Sequence, residues 1–466
     1  MRIKKWIYSN EDRQWSEGKQ EPQTGRQGEE NPQAFVGPNG QRYQKMNGFG
    51  GCFNEQGYAA LGCLAQAEQD RLLRELFAPG EEGCNLTLCR MPIGANDYSF
   101  DWYSLNETPG DYGMKHFSLE RDRRALIPYI RRALSYQPRL KLFASPWSPP
   151  AWMKNPPVYN WGKLIKTEEN LKAYALYFRR FLEEYEREGI RVHQVHVQNE
   201  PVANQKFPSC MWTGEELGDF IKGYLGPELR SNGLDTEIWL GTINAPGCDY
   251  KRLIFDKWAT EDYDYYANTV LMDGEARKYI AGVSYQWGGK IAIQRTYESW
   301  GDEIRLMQSE NECGFGDNTW EYARYVWTML KHYISNGAES YQYWNLVLKP
   351  EGVSTWGDPQ NAMITVKPDT KEYILNPDFY VMKHFSNIVK DGAVRLGLTG
   401  TFAADTVGFQ NPDGSYAFVL FNPFTRVLPL ELKVEGETRL FSLPPQSINS
   451  IVIEGEEIKQ TERKAD

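Results

Sequence analysis

The sequence predicts an α/β fold, a (β/α)8 TIM barrel with a flanking antiparallel β-sandwich domain. Two observations lead to this prediction. Between residues 47 and 386, short apolar runs alternate with amphipathic helical segments, over a length within the roughly 200 to 400 residues typical of such barrels. After residue 387, short runs of alternating polar and apolar residues are separated by turn sequences, which is typical of antiparallel sheets.

The first 46 residues are predicted to add strands to the β-sandwich. Ile3–Ser9 has the alternation of a strand, and a short strand pair is predicted around Gly37-Pro-Asn-Gly. Between them, Asn10–Gln33 is polar with few apolar anchors, which indicates a long exposed loop. With strands from both chain ends in one sandwich, the barrel would be inserted into the β domain.

The barrel region, residues 47–386, is predicted from units in which a helix leads into a strand. The units are Leu171–Glu188 into Val192–Val197, Leu119–Ser135 into Leu140–Ser145, and Trp320–Ser335 into Ser340–Leu346. A doubly wound open sheet is the competing α/β fold. It is disfavoured because Gly48-Phe-Gly-Gly-Cys lacks the Gly-x-Gly-x-x-Gly spacing of a dinucleotide-binding turn.

Residues 387–466 are predicted to form the C-terminal β-sandwich. The strand-like runs are Val407–Phe409, Tyr416–Phe421, Val427–Val434 and Ile448–Ile453, with Asn-Pro-Asp-Gly and Pro-Pro turns between them. The tail from Glu454 is charged, so we expect it to fray.

Composition and charge disfavour some classes of binding partner and indicate where in the cell the protein is located. The formal net charge of −10 over 466 residues disfavours nucleic acid or an anionic membrane surface as a partner. No window approaches the roughly 18 consecutive apolar residues of a membrane span. The basic N-terminus lacks the apolar core of a secretory signal, so a cytoplasmic location is expected, with secretion as the alternative if a signal has been removed.

The cysteines and histidines do not form a metal-binding pattern. The seven cysteines are scattered, and the nearest pair, Cys84 and Cys89, has no matching second pair. His193 and His196 lie three apart on a predicted strand and would point to opposite faces of it. We therefore expect neither a metal nor a cofactor.

Two glutamates, each after an apolar strand-like run, form the candidate catalytic pair. Glu200 precedes Pro201, which ends a strand ladder, and Glu310 follows Ile-Arg-Leu-Met-Gln-Ser. Catalytic groups of barrels lie at the carboxyl ends of strands, where two carboxylates can act as acid and nucleophile at a glycosidic bond. A single such glutamate is more often a cap or a surface charge, but the shared position of the two favours catalysis. Arg90 ends a third run, Leu86–Cys89, and an arginine beside a carboxylate keeps it ionised.

Six stretches carry a resemblance to a known family. They are Asn47-Gly-Phe-Gly-Gly-Cys-Phe-Asn-Glu, Arg90-Met-Pro-Ile-Gly-Ala-Asn-Asp-Tyr-Ser, Ala144-Ser-Pro-Trp-Ser-Pro-Pro-Ala-Trp-Met-Lys, Gln198-Asn-Glu-Pro, Gln308-Ser-Glu and Tyr343-Trp-Asn-Leu-Val-Leu-Lys-Pro-Glu-Gly. In this order and content the chain resembles glycoside hydrolase family 30. The resemblance implies a barrel with a flanking β-sandwich, a retaining mechanism, Glu200 as acid/base and Glu310 as nucleophile.

The resemblance also implies substrate-binding residues around one sugar. The positions that match those of the family are Arg90, Asp97, Trp147, Asn199, Trp287 and Trp344. Residue chemistry alone leaves other roles open for some of them. A lone aspartate in a loop is equally a turn former, and one tryptophan among 15 is more often a core residue.

The sequence departs from the family pattern at one place and is ambiguous at another. Glu312 lies two residues after Glu310 and would face the same side on a continuing strand, although the Ser-Glu motif favours Glu310. Gly288 stands where the family usually has a tyrosine that contacts the nucleophile. Tyr285 or Gln286 substituting for it, and a wider subsite, are the alternatives.

The predicted function is that of a retaining β-glycosidase acting on short β-glycosides, with a β-glucoside of the glucosylceramidase type as the first expectation. The enzyme alternatives are an endo-β-glycanase (of β-1,6-glucanase, xylanase or galactanase type) and an exo-acting β-xylosidase, β-fucosidase or β-galactosidase. The alternative outside enzymes is a carbohydrate-binding protein that has lost catalysis. A small carbohydrate is the expected partner, and the two carboxyl groups are predicted to lie about 5–5.5 Å apart.

Overall fold

The structure is a computed structural model that describes residues 2–19, 34–80, 83–244 and 263–455. The strands are β1 (Ile3–Asn10), β2 (Arg13–Glu17), β3 (Ala34–Lys45), β4 (Gly48–Cys52), β5 (Leu88–Ile93), β6 (Lys141–Pro146), β7 (Lys154–Asn155), β8 (Lys163–Leu164), β9 (Gln194–His196), β10 (Glu237–Ile243), β11 (Ile280–Gln286), β12 (Arg305–Glu310), β13 (Ala338–Leu348), β14 (Ala362–Lys367), β15 (Glu372–Leu375), β16 (Val394–Thr399), β17 (Thr406–Gln410), β18 (Tyr416–Asn422), β19 (Leu428–Val434), β20 (Glu437–Leu443) and β21 (Ser447–Ile453).

The described helices belong mainly to the segments between these strands. They are α1 (Glu55–Leu61), α2 (Gln66–Phe77), α3 (Leu126–Tyr136), α4 (Glu168–Arg187), α5 (Gly214–Phe220), α6 (Gly226–Ser231), α7 (Tyr263–Leu271), α8 (Gly274–Arg277), α9 (Lys290–Trp300), α10 (Trp320–Ser335) and α11 (Pro377–Ser386). A π-helical segment, Ile221–Leu225, joins α5 to α6, and short 3₁₀ turns occupy Asp122–Arg124, Ala151–Met153 and Ala403–Asp405.

A closed parallel barrel forms one of two compact units, which contains the described residues of Phe49–Asn318 and His332–Asn376. Around the barrel the strands run β4-β5-β6-β9-β10-β11-β12-β13, and pairing of β12 with β13 closes the ring. β14 and the antiparallel β15 extend from β13. The predicted (β/α)8 barrel is therefore confirmed.

The interior of the barrel is filled by side chains from its strands. Leu88, Phe143, Trp239 and Met307, from four different strands, form one buried cluster. His196 stacks on Trp239, with ring centroids 5.4 Å apart, and its Nδ1 lies 2.8 Å from the hydroxyl oxygen of a buried serine on β11. This histidine is a satisfied core residue, and packing of this kind makes the barrel a solid support for its rim.

Helix α4 shows how the sequence specifies a barrel helix. The side chain of Thr167 caps its N-terminus by accepting a hydrogen bond from the backbone N–H of Asn170, and Gly189 follows its end with a φ of 74°. Aromatic side chains spaced three or four residues apart, such as Tyr174 and Phe178, are buried. The predicted helix Leu171–Glu188 therefore lies within one residue of α4 at its C-terminal end, and α10 has its predicted bounds.

The second unit contains the described residues of Met1–Gly48, Thr319–Lys331 and Pro377–Asp466. Its nine strands run β2-β1-β21-β18-β17-β16-β3-β19-β20, antiparallel except for the parallel pair β3 and β19. Trp6, Phe418 and Ile451 belong to its apolar core. β1 pairs with β21 and β3 with β16, so the N-terminal strands join the β-sandwich as predicted. The predicted domain boundaries at residues 46 and 386 stay predictions.

The structure corrects three expectations about local structure. The strand pair predicted around Gly37 is one continuous strand, β3. Its pairing with β16 is interrupted by bulges, and the chain does not reverse at the glycines. β2 occupies part of the segment predicted as a loop, because Asn10 and Arg13 pair across a tight turn. The helix predicted to begin at Leu119 begins at Leu126, after a 3₁₀ turn. Residues 20–33, the larger part of the predicted loop, and residues 456–466, most of the tail, lie outside the described residues.

Within the described part of the chain, no helix is long and apolar enough to cross a membrane. The same residues contain no group of three or more histidine, cysteine or acidic side chains placed to hold a metal ion. The cysteines that the structure describes are free thiols, namely Cys52, Cys63, Cys84, Cys89, Cys210 and Cys313.

Candidate active site

Glu310 ends strand β12, as the sequence predicts, and its carboxylate forms an ion pair with Arg90. The preceding residues of β12 are almost all buried, and the carboxylate at the end of the strand is buried as well. Burial raises the pKa of Glu310, an effect that the charge of Arg90 opposes and those of Glu200 and Asp97 enhance. A buried carboxylate in contact with a guanidinium is the principal ionic feature of this site.

Arg90 lies on β5, is fully buried, and contacts several strands at once. Its Nη2 atom donates to Ser145 Oγ at 2.8 Å and to Asn199 Oδ1 at 2.7 Å. Its guanidinium carbon lies 4.3 Å from the centroid of the Trp147 ring, a cation–π contact. These bonds satisfy the buried charge and give the guanidinium one orientation, with Nη1 directed at Glu310.

Glu200 is not at the end of a strand, which corrects the prediction. β9 ends at His196, and Glu200 lies four residues further along with a φ of 46°. This left-handed backbone conformation is unusual for a residue other than glycine. Backbone strain of this kind is found preferentially at functional sites. It is held by a hydrogen bond from the Glu200 N–H to Thr242 O at 2.9 Å and by one from Ala203 N–H to Glu200 O at 2.8 Å.

The carboxylate of Glu200 is as buried as that of Glu310 but has a neutral partner. Asn244 Nδ2 donates to Glu200 Oε1 at 2.9 Å. Burial raises the pKa of Glu200 to about 7, the bond from Asn244 opposes this rise, and the charges of Asp97 and Arg90 act in opposite directions. The two glutamates therefore share a buried setting and differ in their contacts.

Asn199 directly precedes Glu200 in the chain and is hydrogen-bonded to the arginine that pairs with Glu310. Its Oδ1 accepts hydrogen bonds from Arg90, from Gln286 Nε2 at 2.8 Å and from Thr242 Oγ1 at 3.0 Å. Because three donors hold the oxygen, the amide nitrogen is the group left to donate to a substrate. The structure thus brings Asn199, Arg90 and Glu310 together.

The predicted sugar-binding residues Asp97, Trp147 and Trp344 also come together here. The two tryptophan rings lie 5.7 Å apart and belong to one buried cluster. Trp356 Nε1 lies 3.4 Å from Asp97 Oδ2, while Asp97 Oδ1 is buried and has no hydrogen-bond partner among the described residues. Burial raises the pKa of Asp97 to about 6. An acceptor held in this way is suited to a ligand hydroxyl.

Trp287, the sixth predicted binding residue, reaches the site through its backbone. Its N–H donates to Glu310 O at 3.0 Å, while the indole ring faces Lys290 at 5.7 Å. Tyr285 and Gln286, the alternatives to the family tyrosine, are engaged elsewhere. The Tyr285 hydroxyl lies 2.6 Å from Thr296 Oγ1, and the amide of Gln286 bonds within the network around Asn199.

Glu312 lies beyond the end of β12, so the alternation argument that placed it on the same side as Glu310 does not apply. The carboxylate that contacts Arg90 is that of Glu310.

Three residues of the site, Asn244, Thr242 and Trp356, were not predicted from the sequence. The first two lie at or just after the carboxyl end of β10, so the rule that singled out Glu310 also applies to them, but no acidic residue drew attention there. Trp356 lies on a loop near Asp97, which local sequence alone does not indicate.

Comparisons with known proteins agree with this architecture. The glycosyl hydrolase family 30 TIM-barrel domain matches residues 46–389, and the beta sandwich domain of the same family matches residues 392–451. Lysosomal acid glucosylceramidase of Mus musculus is 29% identical over 419 residues, which cover 84% of this chain and 77% of that protein.

Two solved structures also resemble the chain. SrfJ from Salmonella typhimurium has a TM-score of 0.83 and 27% identity, covering 97% of this chain and 99% of that one. The endo-beta1,6-glucanase BT3312 has a TM-score of 0.81 and 26% identity, covering 91% and 95%. The chain therefore belongs to glycosyl hydrolase family 30 and is a glycoside hydrolase.

Proposed function

We propose that the chain is a retaining β-glycosidase in which Glu310 is the nucleophile and Glu200 the acid/base. The observation that carries this assignment is the buried ion pair of Glu310 with Arg90, beside an equally buried Glu200 that accepts a hydrogen bond from the neutral amide of Asn244. Burial raises the pKa of both carboxylates, and the charge of one disfavours ionisation of the other. The guanidinium in contact with Glu310 favours the negative charge there and so the proton on Glu200.

Each group then has one task in each half of the reaction. A carboxylate oxygen of Glu310 attacks the anomeric carbon while Glu200 gives its proton to the departing glycosidic oxygen, leaving a covalent glycosyl ester. Glu200, now ionised, removes a proton from water, and the hydroxide oxygen attacks the anomeric carbon. The bond to Glu310 breaks, the sugar leaves with its configuration retained, and both groups return to their starting states.

The substrate proposed first is a short β-glycoside, with β-glucose as the sugar. Asp97 Oδ1 offers a buried acceptor for a hydroxyl, and Trp147 and Trp344 offer aromatic walls to the apolar face of the ring. The mouse relative, by its name, acts on a glucosylceramide, and this supports glucose. The endo-beta1,6-glucanase structure supports the second candidate, an endo-acting β-1,6-glucanase. The cytoplasmic location stays a prediction.

Trapping with a panel of 2-deoxy-2-fluoro β-glycosides, followed by peptide mapping, tests the assignment. We expect the label on Glu310, fastest with the gluco-configured reagent. A label on Glu312 or elsewhere would overturn the nucleophile assignment. Cleavage of β-1,6-glucan chains without turnover of aryl monosaccharides would favour the endo-acting candidate.

A second measurement separates the enzyme from a binding protein without catalysis. An aryl β-glucoside should be turned over by the wild type, and proton NMR should show the β-anomer as the first product. Binding of sugars without turnover would support the loss of catalysis, and α-anomer as first product would contradict retention.

A further inference from the structure

Three consecutive residues at the end of β11 each bond to a different part of the site. Gln286 Nε2 donates to Asn199 Oδ1 at 2.8 Å, and the Trp287 N–H donates to Glu310 O at 3.0 Å. The Gly288 N–H donates to Asn244 Oδ1 at 2.9 Å. This short segment therefore connects the surroundings of both glutamates, and its last bond reaches Glu200 through Asn244.

The backbone of Gly288 determines which way the amide of Asn244 faces. A backbone N–H can only donate, so the atom of Asn244 that meets it must be the oxygen. The nitrogen of the same amide then faces Glu200 Oε1, at 2.9 Å, and can only donate to it. Glu200 Oε1 is therefore held as an acceptor, and a proton on this carboxyl group belongs on Oε2.

We propose that Asn244 is a positioning residue for Glu200, which leaves Oε2 as the oxygen that gives the proton to the leaving group. The inference rests on the proposed function, because it needs Glu200 as the acid/base. Asn244 follows β10 and Gly288 follows β11, so the bond between them joins neighbouring strands at the rim.

The charged groups around Glu200 come from other elements. Arg90 lies on β5, Asp97 in the loop after it, and Glu310 on β12. Arg90 opposes and Asp97 enhances the rise in the pKa of Glu200 that burial causes, and the charge of Glu200 in turn raises the pKa of Glu310. Asn244 differs from all of them because it acts by a direct bond to one named oxygen, and so affects orientation as well as charge.

Asn244→Ala tests the proposal through two readouts that a merely structural role would not change. The basic limb of the kcat/KM profile should move up by about one pH unit, because a bond donated to the ionised carboxylate is lost. At the pH optimum, kcat/KM should fall at least about tenfold more for a glucoside with a poor alkyl leaving group than for 4-nitrophenyl glucoside. The poorer leaving group depends more on a well-placed proton.

Asn244→Asp provides a nearly isosteric second variant, which is expected to fold. When ionised, its carboxylate still accepts from Gly288 but cannot donate to Glu200, and its charge adds to that of Asp97. The basic limb should therefore move up further than in the alanine variant. Asn232→Ala, on the exposed turn after α6, is the matched control and should leave the limb and the leaving-group ratio unchanged.

An unmoved basic limb together with equal losses for both leaving groups, in either folded variant, would overturn the positioning role. In that case turnover by the wild type would still stand, so the proposed function would survive. Absence of turnover by the wild type would overturn the proposed function and this inference with it.

Discussion

At the scale of single residues, the site distinguishes its two glutamates by their contacts. Glu200 is 8% exposed and Glu310 is 9% exposed, so burial alone gives both a reason to hold a proton. The contact with Arg90 is what separates them, since a guanidinium stabilises only the ionised form. The sequence predicted both glutamates and the arginine, but it contained no sign of the left-handed backbone at Glu200 or of the amide of Asn244.

Glu310→Gln should lower kcat for aryl glucosides by roughly a thousandfold or more, because the amide cannot form the glycosyl ester. Glu312→Gln is the matched control, two residues away and beyond the end of β12, and should keep activity within about twofold. Initial rates at saturating substrate measure the effect. The reverse ranking of the two variants would move the nucleophile to Glu312.

Glu200→Gln should change how the stability of the fold depends on pH. The pKa of Glu200 is raised from 4.5 to about 7, so the folded state holds this proton more tightly than the unfolded state does. The resulting stability is fully present below pH 4.5 and is lost as the pH rises through about 7. It amounts to on the order of 3 kcal/mol.

Because the glutamine has no proton to lose, the variant should gain stability relative to the wild type between pH 4.5 and pH 8. Denaturant unfolding at both values measures the gain. Glu215→Gln, at an exposed position near the start of α5, is the control and should show a smaller change. Parallel curves for the wild type and Glu200→Gln would contradict the assigned shift.

At the scale of elements, the ends of adjacent strands decide where the site residues meet. Helices such as α4 follow from the spacing of apolar residues and a threonine cap, and the sequence predicted them. The role of the residues after β10 and β11 is harder to predict. It depends on the hydrogen bond between Gly288 and Asn244, which lie on different strand ends. Close approach of these two strands is a condition for that bond.

Gly241→Ala should disturb this approach. A Cβ at Gly241 would lie 2.0 Å from Ser284 Oγ and 2.8 Å from Ser284 O, on the neighbouring strand. We expect the unfolding free energy to fall by about 1–3 kcal/mol. We also expect kcat/KM to fall, because the displaced strands carry residues of the site. Gly223→Ala, where a Cβ would meet nothing within 4 Å, is the control and should be neutral or slightly stabilising. Equal stability of the two variants would contradict the packing argument.

At the scale of the whole molecule, charge bears on the kind of glycoside that the enzyme encounters. The chain carries a formal net charge of −10, which repels anionic ligands at long range. The predicted substrate is a neutral glycoside, for which this field does not matter. Both compact units were predicted in outline, because alternation with period two and helical periodicity are properties of local sequence.

Turnover of a neutral aryl glucoside should therefore be almost independent of salt. Raising NaCl from about 20 to about 500 mM should change kcat/KM by less than about twofold, since there is no long-range attraction to screen. For an anionic glycoside with the same leaving group, such as a glucuronide, kcat/KM should rise with salt, because salt screens its repulsion by the acidic protein. A steep fall for the neutral substrate would show that charge steers it.

The (β/α)8 barrel, the β-sandwich with strands from both chain ends, the family and the two candidate glutamates were all predictable from the sequence. These follow from periodicity and from short motifs, which lie within a few neighbouring residues. The folded chain was needed to show that Arg90 contacts Glu310 across 220 positions of the chain and that Asn244 contacts Gly288 across 44. Such contacts depend on how strands pair and where the chain leaves them, and no local pattern encodes that distance.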